Sequence, residues 1–96
     1  LGVVTADLST EAIQMYDMPE GAFVIRVEKN SAAGKAGIQK GDIIVSFDGQ
    51  TVSGKDDLES KLAYYASGET VDVVVSRADN GEYVQKTISV TLGSKN

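Results

Sequence analysis

The chain has 96 residues, a hydrophobic fraction of 42%, a charged fraction of 24% and a formal net charge of −5, with neither histidine nor cysteine. That length accommodates one hydrophobic core and not two, and the acidic balance argues against nucleic acid or anionic membrane as partners, since both require a basic face. Without His or Cys the chain cannot assemble a Ser–His–Asp or Cys–His arrangement, an imidazole or thiolate metal site, or a disulfide.

A Ser–Lys pair is formally possible, but most of the serines sit in turns or beside glycine, where capping is their ordinary role. Asp56-Asp57 reads as the acidic first turn of a helix. No catalytic residue, metal ligand or cofactor is therefore expected, and the chain reads as a binding module. Apolar runs extend over only a few residues, too short for a transmembrane helix. The chain begins at Leu1 without methionine, which suggests a piece of a longer protein, so missing targeting segments say little about the parent.

In chain order, Leu1-Gly2-Val3-Val4-Thr5 is apolar and β-branched behind an early glycine, the pattern of a first strand over Val3–Thr5. Ser9-Thr10-Glu11 precedes Ala12, Ile13, Met15 and Tyr16, which predicts a short helix stopped near Met18-Pro19, with Ile13 and Met15 in the core. Glu20-Gly21 turns the chain into a strand over Ala22–Glu28, with Phe23, Ile25 and Val27 on one face and Val24 and Arg26 on the other. The stretch Ser31–Gly49 is the organising segment. Ser31 caps a helical turn through Ala36, Gly37 stops it, and Gly41-Asp42 leads into a strand Ile43–Phe47 with Ile43, Val45 and Phe47 alternating. Asp48-Gly49 then signals a hairpin returning through Gln50–Val52.

Asp56 or Asp57 is placed to cap a helix that runs to about Ser67 and stops at Gly68. Its Leu58, Leu62 and Tyr65 recur at i, i+4 and i+7, one amphipathic face. Thr70–Arg77 reads as a strand with Val71, Val73 and Val75 inward. Asn80-Gly81 supplies a type I′ hairpin turn, and a strand over about Glu82–Leu92 returns with Val84, Ile88, Val90 and Leu92 on one face and Lys86 beyond the core edge.

The string S-A-A-G-K-A-G-I-Q-K-G-D-I-I-V-S-F-D-G, residues 31–49, resembles the central signature of PDZ domains, in particular those of bacterial trypsin-like proteases related to HtrA/Deg. The resemblance implies an α+β fold: a PDZ-like, partly open β-barrel or sandwich of five to six strands with two main helices. It also implies the circularly permuted arrangement of bacterial proteases, in which the final strand lies near the beginning of the chain. The domain is expected over residues 1–93, with 94–96 as tail or linker.

What the resemblance implies for a site is equally specific. Leu1, Gly2 and Val3 match the last three positions of the family's glycine-containing loop, whose consecutive N–H groups hold a peptide's terminal carboxylate. The following strand, with Val4 and Thr5, would pair with the incoming peptide. The helix over 57–66 would form the opposite wall, with Leu58, Lys61 and Leu62 as contacts and Tyr65 as a fourth candidate. Asp57 and Leu58 stand near the position where an animal PDZ class carries a His, so that class's preference for Ser or Thr is not expected.

The implied function is recognition of C-terminal or extended peptides of substrate proteins, recruiting them to, or regulating, an attached HtrA-like serine endoprotease. The catalytic triad would precede Leu1 in a parent of extracytoplasmic location, and this segment would be monomeric. PDZ domains of carboxyl-terminal processing peptidases, of membrane metalloproteases and of non-proteolytic secretion or scaffold adaptors remain alternatives, as does a vestigial groove that packs against neighbouring domains.

Overall fold

Asn80 and Gly81 both adopt positive φ, 53° and 82°, and turn β5 (Thr70–Asp79) back into β6 (Glu82–Thr91) as a long antiparallel hairpin. The computed structural model, which describes residues 2–66 and 68–92, sets seven further elements before it: β1 (Val3–Asp7), α1 (Thr10–Tyr16), β2 (Ala22–Val27), α2 (Ala32–Ala36), β3 (Ile43–Phe47), β4 (Gln50–Thr51) and α3 (Lys55–Leu62). The strands form a single antiparallel sheet in the order β1-β2-β3-β5-β6, with β4 paired to β3. This is the expected α+β fold with its sheet left open. β1 and β6 are the two edges, and the first and last strands are linked through α2. Gly2 packs on Ser31 at the start of α2, and the same helix lies beside Ser89 and Thr91 of β6.

Local signals set the ends of the shorter helices. Ser9 caps α1, its Oγ accepting the Ala12 N–H at 3.0 Å, and Asp17 closes it in the left-handed region. Ser31 and Gly37 do the same for α2. Contrary to expectation, α1 buries none of its residues, and Met15 is 73% exposed. Seven residues form too short a helix to cover a core.

Two register irregularities overturn the simple alternation of β2 and β3. Val4 pairs with Arg26 and Thr5 with Val24, so Ile25 is an extra residue. Ala22 and Val24 are fully buried while Ile25 is exposed, the reverse of the expected faces, and Val27 returns to the core side beyond the bulge. On β3, Ile44 pairs with Val75 and Ser46 with Val74, leaving Val45 as the extra residue. Ile44 and Phe47 consequently join the core together. An added residue bends the strand and inverts the side-chain parity across it.

The core comprises Val24, Ile44, Phe47, Val52, Leu58, Val73, Val75 and Val90 with smaller neighbours. On β6, Val90 and Leu92 are buried as expected, but Val84 is 42% exposed because the far half of the hairpin extends past the core. Asp42, 1% exposed, is the one carboxylate buried among the described residues. Its oxygens accept from Arg77 Nε at 2.8 Å and Nη2 at 2.7 Å, and from the Gln39 N–H at 2.9 Å. Arg77 also donates to the Gly37 carbonyl at 3.0 Å. The bidentate carboxylate raises the Arg77 pKa above its ordinary value, and partial desolvation opposes it.

Candidate functional site

β1 has one paired side and one open side. The Glu28 N–H donates to the Gly2 carbonyl at 2.7 Å, and Val3 stands opposite Val27. That pattern makes Val3–Val27 a non-hydrogen-bonded pair, whose members aim their own N–H and C=O away from each other's strand. Val24 spends both of its backbone groups on the β3 side, donating to the Asp42 carbonyl and accepting from the Gly41 N–H, each at 2.8 Å. Thr5, opposite Val24, is therefore in the same situation as Val3. Both residues present backbone donors and acceptors to the open edge.

Side chains on this strand divide accordingly. Thr5 is 7% exposed and Val3 packs against the core, whereas Val4 is 38% exposed on the other face. Gly2 sits at the mouth with φ +87°, and a Cβ there would lie 2.1 Å from the Ser31 Cβ. Only glycine meets both conditions. The expectation for Leu1 falls outside the described residues.

α3 packs against β1 and β2. The far end of β1 fastens its first turn: Asp7 Oδ1 accepts the Lys55 N–H at 2.7 Å. Gly54, just before the helix, leaves room for that carboxylate, since a Cβ there would lie 2.6 Å from Oδ1. Neither Asp56 nor Asp57 acts as the expected cap of α3. Instead Asp57 Oδ2 accepts the Ser53 N–H at 2.9 Å and Oδ1 accepts from Lys61 Nζ at 2.8 Å. The Lys61 hydrogen bond, then that from Ser53, lowers the Asp57 pKa below its ordinary value. α3 ends at Leu62, short of Ser67.

The expected helix contacts are not all brought together. Leu58 is 0% exposed and belongs to the core, so it anchors the helix and offers no surface to a ligand in this conformation. Lys61 shares a cavity of about 410 Å³ with Gln50, Asp57, Ser60, Tyr64 and Tyr65, on the flank that looks toward β4. Tyr65 stacks edge-on against Phe47 at 5.1 Å and donates to Asp48 Oδ2 at 2.5 Å. That bond, with partial desolvation, raises the Tyr65 pKa above 10.0.

Helical geometry puts Lys55, Glu59 and Leu62 together on the flank opposite Lys61, and the backbone N–H of Lys55 is the one held by Asp7 of β1. Of the expected contacts, Val3 and Leu62 pack against the core and Thr5 is buried; the space between β1 and this flank of α3 is the candidate channel. Lys55 and Glu59, which hydrophobic periodicity had no means of marking, share the helix face of Leu62. Their i, i+4, i+7 spacing with Leu62 was the available signal. Asp7 also lines a cavity of about 370 Å³, with Thr10, Glu20, Gly54 and Asp56 among its other walls.

Residues 1–92 match a family model described as PDZ domain. The chain is 36% identical over 97 residues to a probable periplasmic serine endoprotease DegP-like of Marinomonas sp. (strain MWYL1), covering 99% of this chain and 20% of that protein. It is 34% identical over 92 residues to the like-named protein of Pseudomonas putida (strain GB-1), covering 94% and 19%. The chain thus spans about a fifth of the length of these curated relatives.

Among solved structures, the HtrA-type protease AlgW with decapeptide superposes with a TM-score of 0.82 at 26% identity, over 100% of this chain and 29% of that one. The HtrA3 PDZ domain bound to a phage-derived ligand (FGRWV) gives a TM-score of 0.75 at 22% identity, over 95% of this chain and 81% of that one, a likeness of fold. With its open edge strand facing a helix and a family match across nearly its whole length, the chain belongs to the PDZ domain family and is similar to the PDZ domains of HtrA-type proteases.

Proposed function

We propose that this domain binds the C-terminal end of an extended peptide, which adds as a strand to the free edge of β1 opposite α3. The observation that carries this reading is the outward-facing backbone of Val3 and Thr5 on an edge strand that begins at Gly2. The N–H groups around Leu1, Gly2 and Val3 receive the terminal carboxylate. The last side chain enters an apolar pocket between Val3 and Leu62, above Leu58. Lys55 and Glu59 flank the preceding residues, and Val4 supports the strand from its outer face. Lys61 and Tyr65 act from the helix's far flank, outside the channel.

The domain, residues 1–93 with a short tail, works within an extracytoplasmic serine endoprotease, recruiting substrates to the protease domain or regulating it. The curated relatives, named as periplasmic serine endoproteases, support this placement. So does the composition, because a chain without His or Cys leaves the chemistry to another part of the parent.

A single groove that must order a flexible peptide binds on the order of micromolar. Calorimetric titration with peptides ending in Val, Leu, Phe or Ala, each as free acid and as C-terminal amide, tests the reading. At least one free acid binds at that level, and its amide binds roughly tenfold more weakly, as expected for loss of a charge-assisted contact. Equal affinities for acid and amide, or no binding by any peptide, would contradict it.

A further inference from the structure

Ser31 has more partners than capping a five-residue helix requires. Its Oγ accepts the Gly34 N–H at 3.0 Å and donates to the Glu28 carbonyl at 2.7 Å. Its own N–H also donates to that carbonyl, at 3.3 Å. The side chain thus fixes the turn from Glu28 to Ser31. The same turn holds the start of β1: the Glu28 N–H donates to the Gly2 carbonyl at 2.7 Å.

The peptide unit joining Gly2 to Val3 is planar and trans, so its carbonyl and its N–H point in opposite directions. Holding the Gly2 carbonyl toward Glu28 aims the Val3 N–H at the open edge. Ser31 also occupies the space beside Gly2, where an added Cβ would lie 2.1 Å from its Cβ and 2.7 Å from its Oγ. The loop cannot sink toward α2 and rotate that N–H out of the channel.

We infer that Ser31 is a positioning residue for carboxylate recognition, acting through Glu28 and Gly2 to hold the Val3 N–H toward the ligand's terminus. The inference rests on the peptide-terminus reading above. Ser31 does not touch the peptide. Its chemistry is that of a brace, and the ligand class it serves is a free α-carboxylate in place of an internal or amidated chain.

The test compares wild type with Ser31→Ala and Ser31→Gly, using one free-acid peptide and its amide, at a temperature where each variant's amide spectrum shows it folded. The quantity read is the ratio of the two dissociation constants. A brace predicts that the ratio narrows by roughly three- to tenfold, the worth of one well-placed hydrogen bond. Amide affinity stays within about twofold of wild type, and Ser31→Gly narrows the ratio at least as much as Ser31→Ala. The Val3 amide resonance of each ligand-free variant shifts as well.

A purely capping role weakens both peptides by the same factor, or neither, and leaves the ratio intact; that result overturns the inference. Wild type that is itself indifferent to amidation overturns the peptide-terminus reading, and the role of Ser31 with it. A wild type that discriminates while both variants keep its ratio overturns the Ser31 role alone.

Discussion

Gly2 carries two constraints that no other residue type meets, a φ of +87° and contact with Ser31 where a Cβ would stand. Gly2→Ala must move the loop away from α2, which turns the Val3 N–H out of the channel. We expect free-acid peptides to lose at least about fivefold in affinity, a positive-φ strain of about 1 kcal/mol or more being concentrated at the mouth. The fold persists, because Gly2 precedes the first ladder pair. Retention of wild-type affinity in the calorimeter would count against a carboxylate-holding loop at this position. Tyr65 gives a test of a different kind. Its phenol donates to Asp48, and ionisation would replace that bond with two facing anions. The folded pKa is raised, so this contribution to stability is fully present below pH 10 and fades as pH rises through the higher folded value. The NMR titration of the Tyr65 ring carbon should have its midpoint above 10.0 in wild type, and Asp48→Asn should bring it back toward the ordinary value.

At the scale of elements, the segments fixed by near neighbours in sequence were legible and those fixed from a distance were not. Ser9, Ser31, Gly37 and Asn80-Gly81 act within three or four residues of themselves, and the structure puts caps and turns where those residues stand. The bulges at Ile25 and Val45 are different, because each exists only in the register between two strands. Alternation within one strand cannot announce a skipped residue, so the expected faces of β2 are reversed before its bulge and, on β3, Ile44 takes a core place beside Ile43 and Phe47 while Val45 does not. The start of α3 fails for the same reason. Its cap comes from Asp7, 48 residues earlier in the chain, while Asp57, one of the two adjacent acids that looked like caps, serves Ser53 and Lys61. Asp7→Ala should destabilise the domain by about 1 kcal/mol in urea unfolding, the usual worth of an N-terminal cap. Amide exchange should speed up in the first turn of α3. Unchanged exchange there would show that Asp7 does not hold the helix to β1.

The whole molecule is tied together by one buried polar cluster and one sheet. Asp42 and Arg77 join the end of α2, the start of β3 and the last turnward residues of β5, a connection invisible in sequence because 35 residues separate the pair. Arg77→Met leaves a buried carboxylate with only a backbone donor, and should cost roughly 3 kcal/mol. Replacing both residues (Asp42→Leu with Arg77→Met) should cost less than Arg77→Met alone, since no uncompensated charge remains. Urea midpoints of the two variants decide this, and a double variant worse than the single would refute the account of the cluster. The family and its fold were legible because the glycine-rich segment 31–49 carries the resemblance. Less of the proposed contact set was legible: hydrophobic periodicity picked Leu58, the side chain that the core takes for itself, and could not mark Lys55 and Glu59, which share a helix face with Leu62.

Strand addition at β1 is the central claim, and amide hydrogen exchange in the free and peptide-saturated domain tests it most directly. The N–H groups of Val3 and Thr5 face the open edge, so they should exchange readily in the free domain and become protected on binding, with the strongest new protection in the molecule. Protection that leaves Val3 and Thr5 unchanged and appears along β6 or on the Lys61 flank of α3 would contradict the account, placing the peptide somewhere other than the edge of β1.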